Sequence, residues 1–202
     1  MPSWQEVQVS GQSFDGKILT GEVIQTSRFE RCSFTAASLD SARLQASHFE
    51  ECDFTRASFA DAKLRGCVFT GCNFTDASFF AAMIEGTRLI ACQFGGADLR
   101  SIQVEACDFS FSSLRMQNLV GLDLSKSKFV EADCYGTDFS EATMRETDLS
   151  RAILAQVKLN GADLRGAILH GVDLRQTSIV KAKIDLAQTI AFAQSHGALV
   201  EV

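Results

Sequence analysis

Seven cysteines and three histidines are the side chains of this 202-residue chain that could bind a metal ion or act as nucleophiles. The CxxC pair that is common in zinc and redox sites is absent from the sequence. His48, His170 and His196 lack acidic or cysteine partners repeated at ligand spacing. A glycine-rich phosphate loop, a nucleophile elbow and an HExxH motif are also missing. The sequence therefore predicts no metal, no cofactor and no catalytic residue, and we do not expect an enzyme.

Charge limits the macromolecules that the protein can bind. Nineteen Lys and Arg residues against 25 Asp and Glu residues give a net charge of −6. Proteins that grip nucleic acid do so mainly with Lys and Arg at the phosphates, so we expect no direct nucleic-acid binding. No apolar run approaches the ~18 to 20 residues of a membrane span, and the N-terminus has neither a basic start nor an apolar stretch. We predict a soluble, cytoplasmic protein that does not bind a membrane.

A strict five-residue period determines where all of these side chains lie. Every fifth position from Phe14 to Ile184, 35 positions in all, carries an apolar residue, and 13 of the 16 phenylalanines are among them. Neither the period of a helix nor that of a strand produces this pattern. Two residues before each large apolar residue, a smaller one such as Cys32, Ala37 or Ala42 forms a second inward column.

The cysteines follow the same period. The small column contains Cys32, Cys52, Cys67, Cys72, Cys92 and Cys107, and the large column contains Cys134. Buried thiols pack as small apolar groups. The spacing therefore predicts that the cysteines are core residues and not metal ligands or disulfide partners.

Similar segments 20 residues apart indicate that four repeats of five make one coil. These segments are CSFTAAS at 32–38, CDFTRAS at 52–58, CNFTDAS at 72–78 and CQFGGAD at 92–98. A chain that turns a corner after every five residues closes a square in four repeats, which places Phe34, Phe54 and Phe74 one above another. Neighbouring coils then pair like strands, roughly 4.8 Å apart. We predict an all-β solenoid.

The repeat pattern A(D/N)Lxx occurs as ADLRS at 97–101 and ADLRG at 162–166, with the related TDLSR at 147–151. This pattern resembles the pentapeptide-repeat family. The resemblance covers residues 14–184, and it implies a right-handed quadrilateral β-helix.

The five-residue rule stops after Ile184, and a different element follows. We predict a β-helix at residues 1–184 and a C-terminal helix and tail at 185–202. Asp185 followed three residues later by Gln188 predicts a capping box, and Gly197 predicts the end of the helix. The segment has more apolar residues than a lid requires, and we predict that they join two copies end to end in a homodimer. The predicted dimerisation residues are Leu186, Ile190, Phe192, Ala193, Leu199 and Val200. A monomeric lid is the alternative.

The 20-residue stacking also assigns outward charges to faces of the solenoid. Two adjacent faces form a predicted acidic surface for a protein partner, made of Asp53, Asp61, Asp76, Asp98, Asp133, Asp138 and Glu141. The next face is mixed to basic, with Arg43, Lys63, Arg65, Lys126, Arg145 and Arg165. The alternative is that Asp before the central residue is only the repeat's preferred outward residue. Four large residues lie outside the inward columns and are predicted to be exposed: Phe80, Phe111, Met116 and Tyr135.

The ending IDLAQTIAFAQSHGALV at 184–200 is similar to the MfpA and Qnr branch of the pentapeptide-repeat family. This resemblance implies a DNA mimic that dimerises through a C-terminal helix and binds DNA gyrase or topoisomerase IV, inhibiting the enzyme or protecting it from quinolones. An acidic rod about 40 Å long, or about 80 Å in the dimer, could occupy a groove that binds duplex DNA. The unbroken register leaves no room for projecting loops, which matter for protection by Qnr proteins, so strong quinolone resistance is not expected. The alternative function is a non-catalytic scaffold that binds another protein.

Overall fold

The computed structural model describes residues 4–201, which form a parallel β-solenoid followed by a short helix. Residues 1–3 and Val202, which the predicted ranges include, lie outside the described residues. The elements of residues 4–201 are β1 (Trp4–Gln5), β2 (Gln8–Ser10), β3 (Val23–Gln25), β4 (Arg28–Glu30), β5 (Arg43–Gln45), β6 (His48–Glu50), β7 (Lys63–Arg65), β8 (Val68–Thr70), β9 (Met83–Glu85), β10 (Arg88–Ile90), β11 (Gln103–Glu105) and α1 (Leu186–Ser195).

The strands form two parallel sheets on adjacent faces of the solenoid. Face 1 has the strand order β1-β3-β5-β7-β9-β11, and face 2 has the order β10-β8-β6-β4-β2. Residues 20 apart are paired, as Phe29 is with Phe49. Face 3, which contains Ser33 and Asp53, and face 4, which contains Ser38, are built from isolated parallel bridges with the same register. The predicted β-solenoid with four repeats per coil is confirmed.

Regular strands end at Glu105, but the coils continue beyond it. Isolated bridges with the same register extend to Lys183, so residues 4–184 form about nine coils, of which about five carry strands. The regular strands stop at the coil in which the small inward position of face 1 is no longer alanine. Alanine fills this position in the three preceding coils, and Ile102 and Leu122 fill it in the next two.

Stacked aromatic rings fill the first half of the interior. The ring centroids of Phe34 and Phe54 are 4.8 Å apart, and those of Phe54 and Phe74 are 5.1 Å apart. Rings from adjacent faces meet edge to face, as Phe74 and Phe79 do at 5.2 Å. Each such pair contributes ~0.5 to 1.5 kcal/mol beyond the burial of its area, so the ladder stabilises the stacking of the coils.

Nearly all of the predicted large inward positions are buried. The exceptions are Val104, where the strands end, and Ile179 and Ile184, which lie in the last coil and are half-buried. The register also extends further towards the N-terminus than the predicted start at Phe14. Trp4 continues the inward column and contacts Phe14 edge to face, with ring centroids 5.4 Å apart.

The corners are held by residues in the left-handed region of the backbone. At nearly every corner, the second residue after the large apolar one has a positive φ, such as 58° at Arg56 and 77° at Gly166. A residue with a side chain is disfavoured by about 1 to 2 kcal/mol in this conformation. The Arg56 N–H donates to the Thr75 carbonyl one coil further on, at 2.9 Å, and such bonds offset the cost. Corners therefore accept residues other than glycine, and many of them carry charged side chains.

Polar residues in the small inward column are hydrogen-bonded. The Ser47 hydroxyl donates to the Gln45 carbonyl at 2.9 Å and accepts from the Ser27 N–H at 3.1 Å. Cys52 makes the matching weak bond to the Phe29 carbonyl at 3.5 Å. All seven cysteines are buried and free, which confirms the prediction that they are core residues.

Helix α1 covers the C-terminal end of the solenoid. Asp185 accepts a hydrogen bond from the Ala187 N–H at 3.0 Å, and the Gln188 side chain accepts one from the Asp185 N–H at 2.8 Å, so the predicted capping box is confirmed. Gln188 is buried and also donates to the Ala167 carbonyl at 2.8 Å, which ties the helix to the last coil. Gly197 follows the end of the helix with a φ of 87°.

Replacing Phe74 with alanine should lower the free energy of unfolding by about 3 to 5 kcal/mol, because rigid neighbouring coils cannot close the cavity. Phe80→Ala is the matched control, since Phe80 lies outside the core and is 45% exposed. Urea denaturation followed by circular dichroism measures both variants. Equal losses of stability in the two variants would contradict the stacked core.

The native thiols should be unreactive towards Ellman's reagent near neutral pH. Burial raises the pKa of Cys67 and of Cys107 to about 11, so few of these groups are thiolates, and their sulfur atoms are out of reach of the reagent. We expect all seven thiols to react only after the protein is unfolded in guanidinium chloride. Rapid reaction of several thiols in the native protein would show that the interior is open.

Candidate protein-binding surfaces

Four of the predicted acidic residues directly precede a large inward residue, and their side chains bind the local backbone. Asp53 accepts from the Thr55 N–H at 2.9 Å, and Asp98 accepts from the Arg100 N–H at 3.1 Å. Asp133 and Asp138 make the same bond to the N–H two residues later, at 3.1 Å and 3.0 Å. An Asx turn of this kind stabilises the corner. Aspartate at this position therefore has a structural role at the corner.

Three of these four aspartates are also ion-paired. The Arg100 guanidinium contacts Asp98 at 2.8 Å, and its side-chain hydrogen bond lowers the pKa of that carboxyl. Asp133 is paired with Arg115 at 2.9 Å.

Asp138 is paired with Lys158 at 3.2 Å. Partial burial alone would raise the pKa of Asp138, but hydrogen bonds from Ser140 and Lys158 lower it below its ordinary value. The paired cations neutralise much of the acidic surface that the sequence predicts.

The remaining predicted acids lie at corners and point into solvent. Asp61, Asp76 and Glu141 are exposed, have φ values of 56° to 59°, and form no ion pair with any residue in 4–201. Asp76 leans over Gly96 of the next coil, and Glu141 leans over Gly161, where a Cβ would clash with the carboxylate. These three acids line the two edges of face 4, which makes them the members of the predicted acidic surface that are most available to a partner.

Asp40 is an acid of face 4 that the sequence analysis missed. It is half-buried, accepts a hydrogen bond from Ser38 at 3.1 Å and also accepts one from Ser58. The 20-residue register could have revealed it, because Asp40 lies on the same face as Asp98 and Asp138.

An apolar cluster lies on face 3 and at its edges. Phe111 and Met116 are 54% and 71% exposed, and the Arg115 guanidinium lies 4.4 Å from the ring centroid of Tyr135. The prediction that Phe80, Phe111 and Met116 are exposed is confirmed. Tyr135 is instead half-buried, because Arg115 covers its ring.

Face 1 is mixed in charge, as predicted. Arg65 is paired with Glu85 at 2.7 Å, and Arg165 is paired with Asp163 at 2.6 Å. The side-chain hydrogen bond from Arg165 lowers the pKa of Asp163 to about 2. The other basic residues predicted for this face are Arg43, Lys63, Lys126 and Arg145, and all four lie on it or at its edge.

The predicted dimerisation residues fall into two groups. Leu186 and Leu199 are 74% and 96% exposed. The half-buried residues are Ile190, Phe192, Ala193 and Val200. Phe192 packs against the solenoid core, so it serves the lid whether or not a second copy binds. A cavity of about 530 Å³ separates part of α1 from the last coil.

His48, His170 and His196 are exposed. Within residues 4–201, no three or more His, Cys, Asp or Glu side chains are arranged to hold a metal ion. The helix of the described chain is too short to cross a membrane. Four surfaces of the described chain are candidate binding features: the edges of face 4, the apolar cluster of face 3, face 1 and the C-terminal end.

Comparisons with known proteins agree with this geometry. Residues 22–88 match the family described as "Pentapeptide repeat region". Residues 107–145 and 144–179 match the family described as "Pentapeptide repeats (8 copies)". Together these matches cover more than half of the chain. No curated protein matches the sequence.

Solved structures of QnrB1, described as a plasmid-mediated fluoroquinolone resistance protein, share the fold. The full-length protein has a TM-score of 0.87 at 21% identity, over 98% of this chain and 100% of that chain. A trypsin-treated form has a TM-score of 0.86 at 22% identity, over 98% of this chain and 99% of that chain. Together with the five-residue β-solenoid, the family matches show that the chain belongs to the pentapeptide-repeat family.

Proposed function

We propose that the protein is a non-catalytic DNA mimic that binds DNA gyrase or topoisomerase IV and modulates the activity of that enzyme. Because its target works on the chromosome, the proposal places the protein in the cytoplasm. The observation that carries the proposal is the set of unpaired acids, Asp61, Asp76 and Glu141, along the edges of one face of an uninterrupted rod.

The dimensions of the rod support this proposal. About nine coils at roughly 4.8 Å each give a length of about 43 Å, and two copies joined end to end double it. Asp61 and Glu141 occupy the same corner four coils apart, a separation of roughly 19 Å along the axis. A groove lined with Lys and Arg for the phosphates of duplex DNA would meet negative charge along a comparable length.

The sequence and fold comparisons add two further arguments. The C-terminal segment at 184–200 resembles the MfpA and Qnr branch, and QnrB1 shares the fold over nearly the whole chain. QnrB1 is described as a fluoroquinolone resistance protein, which links this fold to the targets of fluoroquinolones. No loop interrupts the coils between residues 4 and 184. We therefore expect inhibition of the enzyme to be stronger than protection from quinolones.

The apolar cluster on face 3 favours a second candidate function, a scaffold for a different protein. Tyr, Arg and Met are enriched at the energetic centres of protein interfaces. Phe111, Met116 and the stacked pair of Arg115 and Tyr135 supply such a centre without any need for negative charge.

We further propose that two copies associate through the C-terminal end. Leu186 and Leu199 are large and exposed there, although α1 already covers the last coil. An isologous contact would bury both leucines from both copies and extend the rod.

Neutralising the corner acids should weaken the effect on gyrase. Compared with the unaltered protein, Asp61→Asn, Asp76→Asn and Glu141→Gln in one chain should raise the concentration needed to inhibit supercoiling about tenfold, since each exposed pair contributes up to ~1 kcal/mol. The matched control neutralises Glu6, Glu51 and Glu146, three exposed acids at corners away from face 4. Supercoiling is measured with and without a quinolone. Absence of any effect of the unaltered protein at micromolar concentration would reject the proposal and favour the scaffold.

Leu186→Asp should raise the dissociation constant of the dimer by about tenfold or more, because burial of a leucine contributes ~1.5 to 3 kcal/mol. Ile18→Asp provides the control, since Ile18 is 83% exposed at the other end of the chain. Analytical ultracentrifugation over a range of concentrations distinguishes the two variants. A monomeric unaltered protein would support the lid interpretation.

A further inference from the structure

An open groove runs along face 1, which adjoins the edge of face 4 that carries Asp61 and Glu141. It has a volume of about 530 Å³ and lies across β5, β7, β9 and β11. One wall, here called row 3, carries Arg43, Lys63, Met83, Gln103 and Asp123 in successive coils. The opposite wall, row 5, carries Gln45, Arg65, Glu85 and Glu105. The strand register aligns the members of each row along the axis of the solenoid.

The charge of the groove reverses along this axis. Arg43 and Lys63 lie at one end, and Glu105 and Asp123 lie at the other. All four side chains are exposed, and none forms an ion pair with another residue in 4–201. The groove therefore has a free positive end and a free negative end.

The reversal is centred on Met83, a 41% exposed apolar residue. In row 3, Arg43 lies two coils before Met83 and Asp123 lies two coils after it. In row 5, Arg65 and Glu105 lie one coil on either side of Glu85, which Arg65 already neutralises. The pairs Arg43 and Asp123, and Arg65 and Glu105, are thus opposite in sign at equal distances from the middle coil, so a two-fold contact between identical surfaces would bring opposite charges together.

We propose that face 1 binds face 1 of a second copy of this chain, with the two solenoids antiparallel. The two-fold axis would lie parallel to the strands at the level of Met83, so that each row packs on the same row of its partner. Arg43 would then meet the partner subunit's Asp123, and Arg65 would meet the partner subunit's Glu105. Lys63 lies close enough to contribute to both pairs, and the two Met83 side chains would meet on the axis.

The charges select the antiparallel arrangement over the parallel one. In a parallel pair, row 3 would face row 5 of the same coil, which would bring Lys63 against the partner subunit's Arg65. Like charges that face each other destabilise a contact. The antiparallel pair has opposite charges at both ends. At its centre the two Met83 side chains meet beside the two Glu85 carboxylates, each of which is neutralised by Arg65 of its own chain.

The association is expected to be weak and sensitive to salt. The groove covers five coils of one face, which is smaller than the ~800 Å² per partner of a standard interface. Its polar contacts are exposed pairs, which salt screens over a Debye length of about 10 Å at 0.1 M and about 3 Å at 1 M. This contact leaves Asp76 and the C-terminal end free, and its test does not use gyrase, so its failure and the failure of the proposed function are distinguishable.

Cross-linking at the two-fold axis tests the proposal. In a Met83→Cys chain the introduced thiol is accessible to a short bismaleimide, whereas the seven native cysteines are buried. Ile153→Cys is the control, because Ile153 is 50% exposed on face 3. At low ionic strength we expect at least about fivefold more cross-linked dimer at position 83 than at position 153, and loss of the difference in about 1 M NaCl. A C-terminal dimer cannot produce this signal, because Met83 lies about five coils, roughly 24 Å, from that end in each copy.

Charge reversal in the Met83→Cys chain makes the test specific. Arg43→Glu with Lys63→Glu should lower the cross-linked fraction to the level of the control, by about fivefold. Adding Asp123→Lys to that chain should restore most of the cross-linked fraction, since the pair of Arg43 with Asp123 is then reversed while Arg65 still meets the partner subunit's Glu105. Circular dichroism verifies that each variant is folded. Equal cross-linking at positions 83 and 153 would overturn the proposal. So would a folded chain with Arg43→Glu, Lys63→Glu and Asp123→Lys whose cross-linking stays at the level of the control.

Discussion

The whole structure depends on one constraint: each five-residue repeat must send a large apolar side chain inward and then turn a corner. The inward side chain packs on the equivalent one of the next coil, as Phe54 does on Phe74 at 5.1 Å. The turn places the corner N–H against a carbonyl one coil on, as in Arg56 and Thr75. Packing and backbone hydrogen bonding thus both act along the axis. The interior is filled, so recognition is confined to the outer rows and the two ends.

The same register governs how much charge the surface can offer. Outward side chains two residues apart, or in adjacent coils, come close enough to pair, so Asp98 is neutralised by Arg100 and Asp138 by Lys158. Aspartates that precede an inward residue also accept a backbone N–H, which is a structural task. Corner acids have no such task and project from the edges. The negative charge of the sequence therefore overstates the charge available to a partner, and corner acids such as Asp61, Asp76 and Glu141 carry part of what remains.

Most of the fold could be predicted from the sequence because the constraint is periodic. The apolar column, the buried cysteines and the capping box of Asp185 and Gln188 all follow from spacing alone. The inclusion of Trp4 could not be predicted, because its place in the column depends on pairing with Ile24 in the next coil. The end of the regular strands at Glu105 likewise depends on packing between coils, for which the five-residue pattern has no signal.

The candidate surfaces were only partly predictable, for a related reason. The sequence places an acid on a face, but it does not show which Lys or Arg side chain forms an ion pair with that acid. The pairing of Asp98 with Arg100 has a local signal two residues away, whereas that of Asp133 with Arg115 runs between coils. The half-buried position of Tyr135 beneath Arg115 arises from the same contact between coils. Side-chain choices of this kind depend on three-dimensional neighbours and not on the repeat.

The central claim is that the outer surface of the solenoid takes the place of duplex DNA on a topoisomerase. A competition experiment tests that claim most directly. The unlabelled protein is added to a fluorescently labelled duplex bound to gyrase, and fluorescence anisotropy measures the displacement of the duplex. Our account predicts that the protein and the duplex exclude each other, so that anisotropy falls to the value of the free duplex as protein is added. A stable complex that contains gyrase, the duplex and the protein together would contradict it.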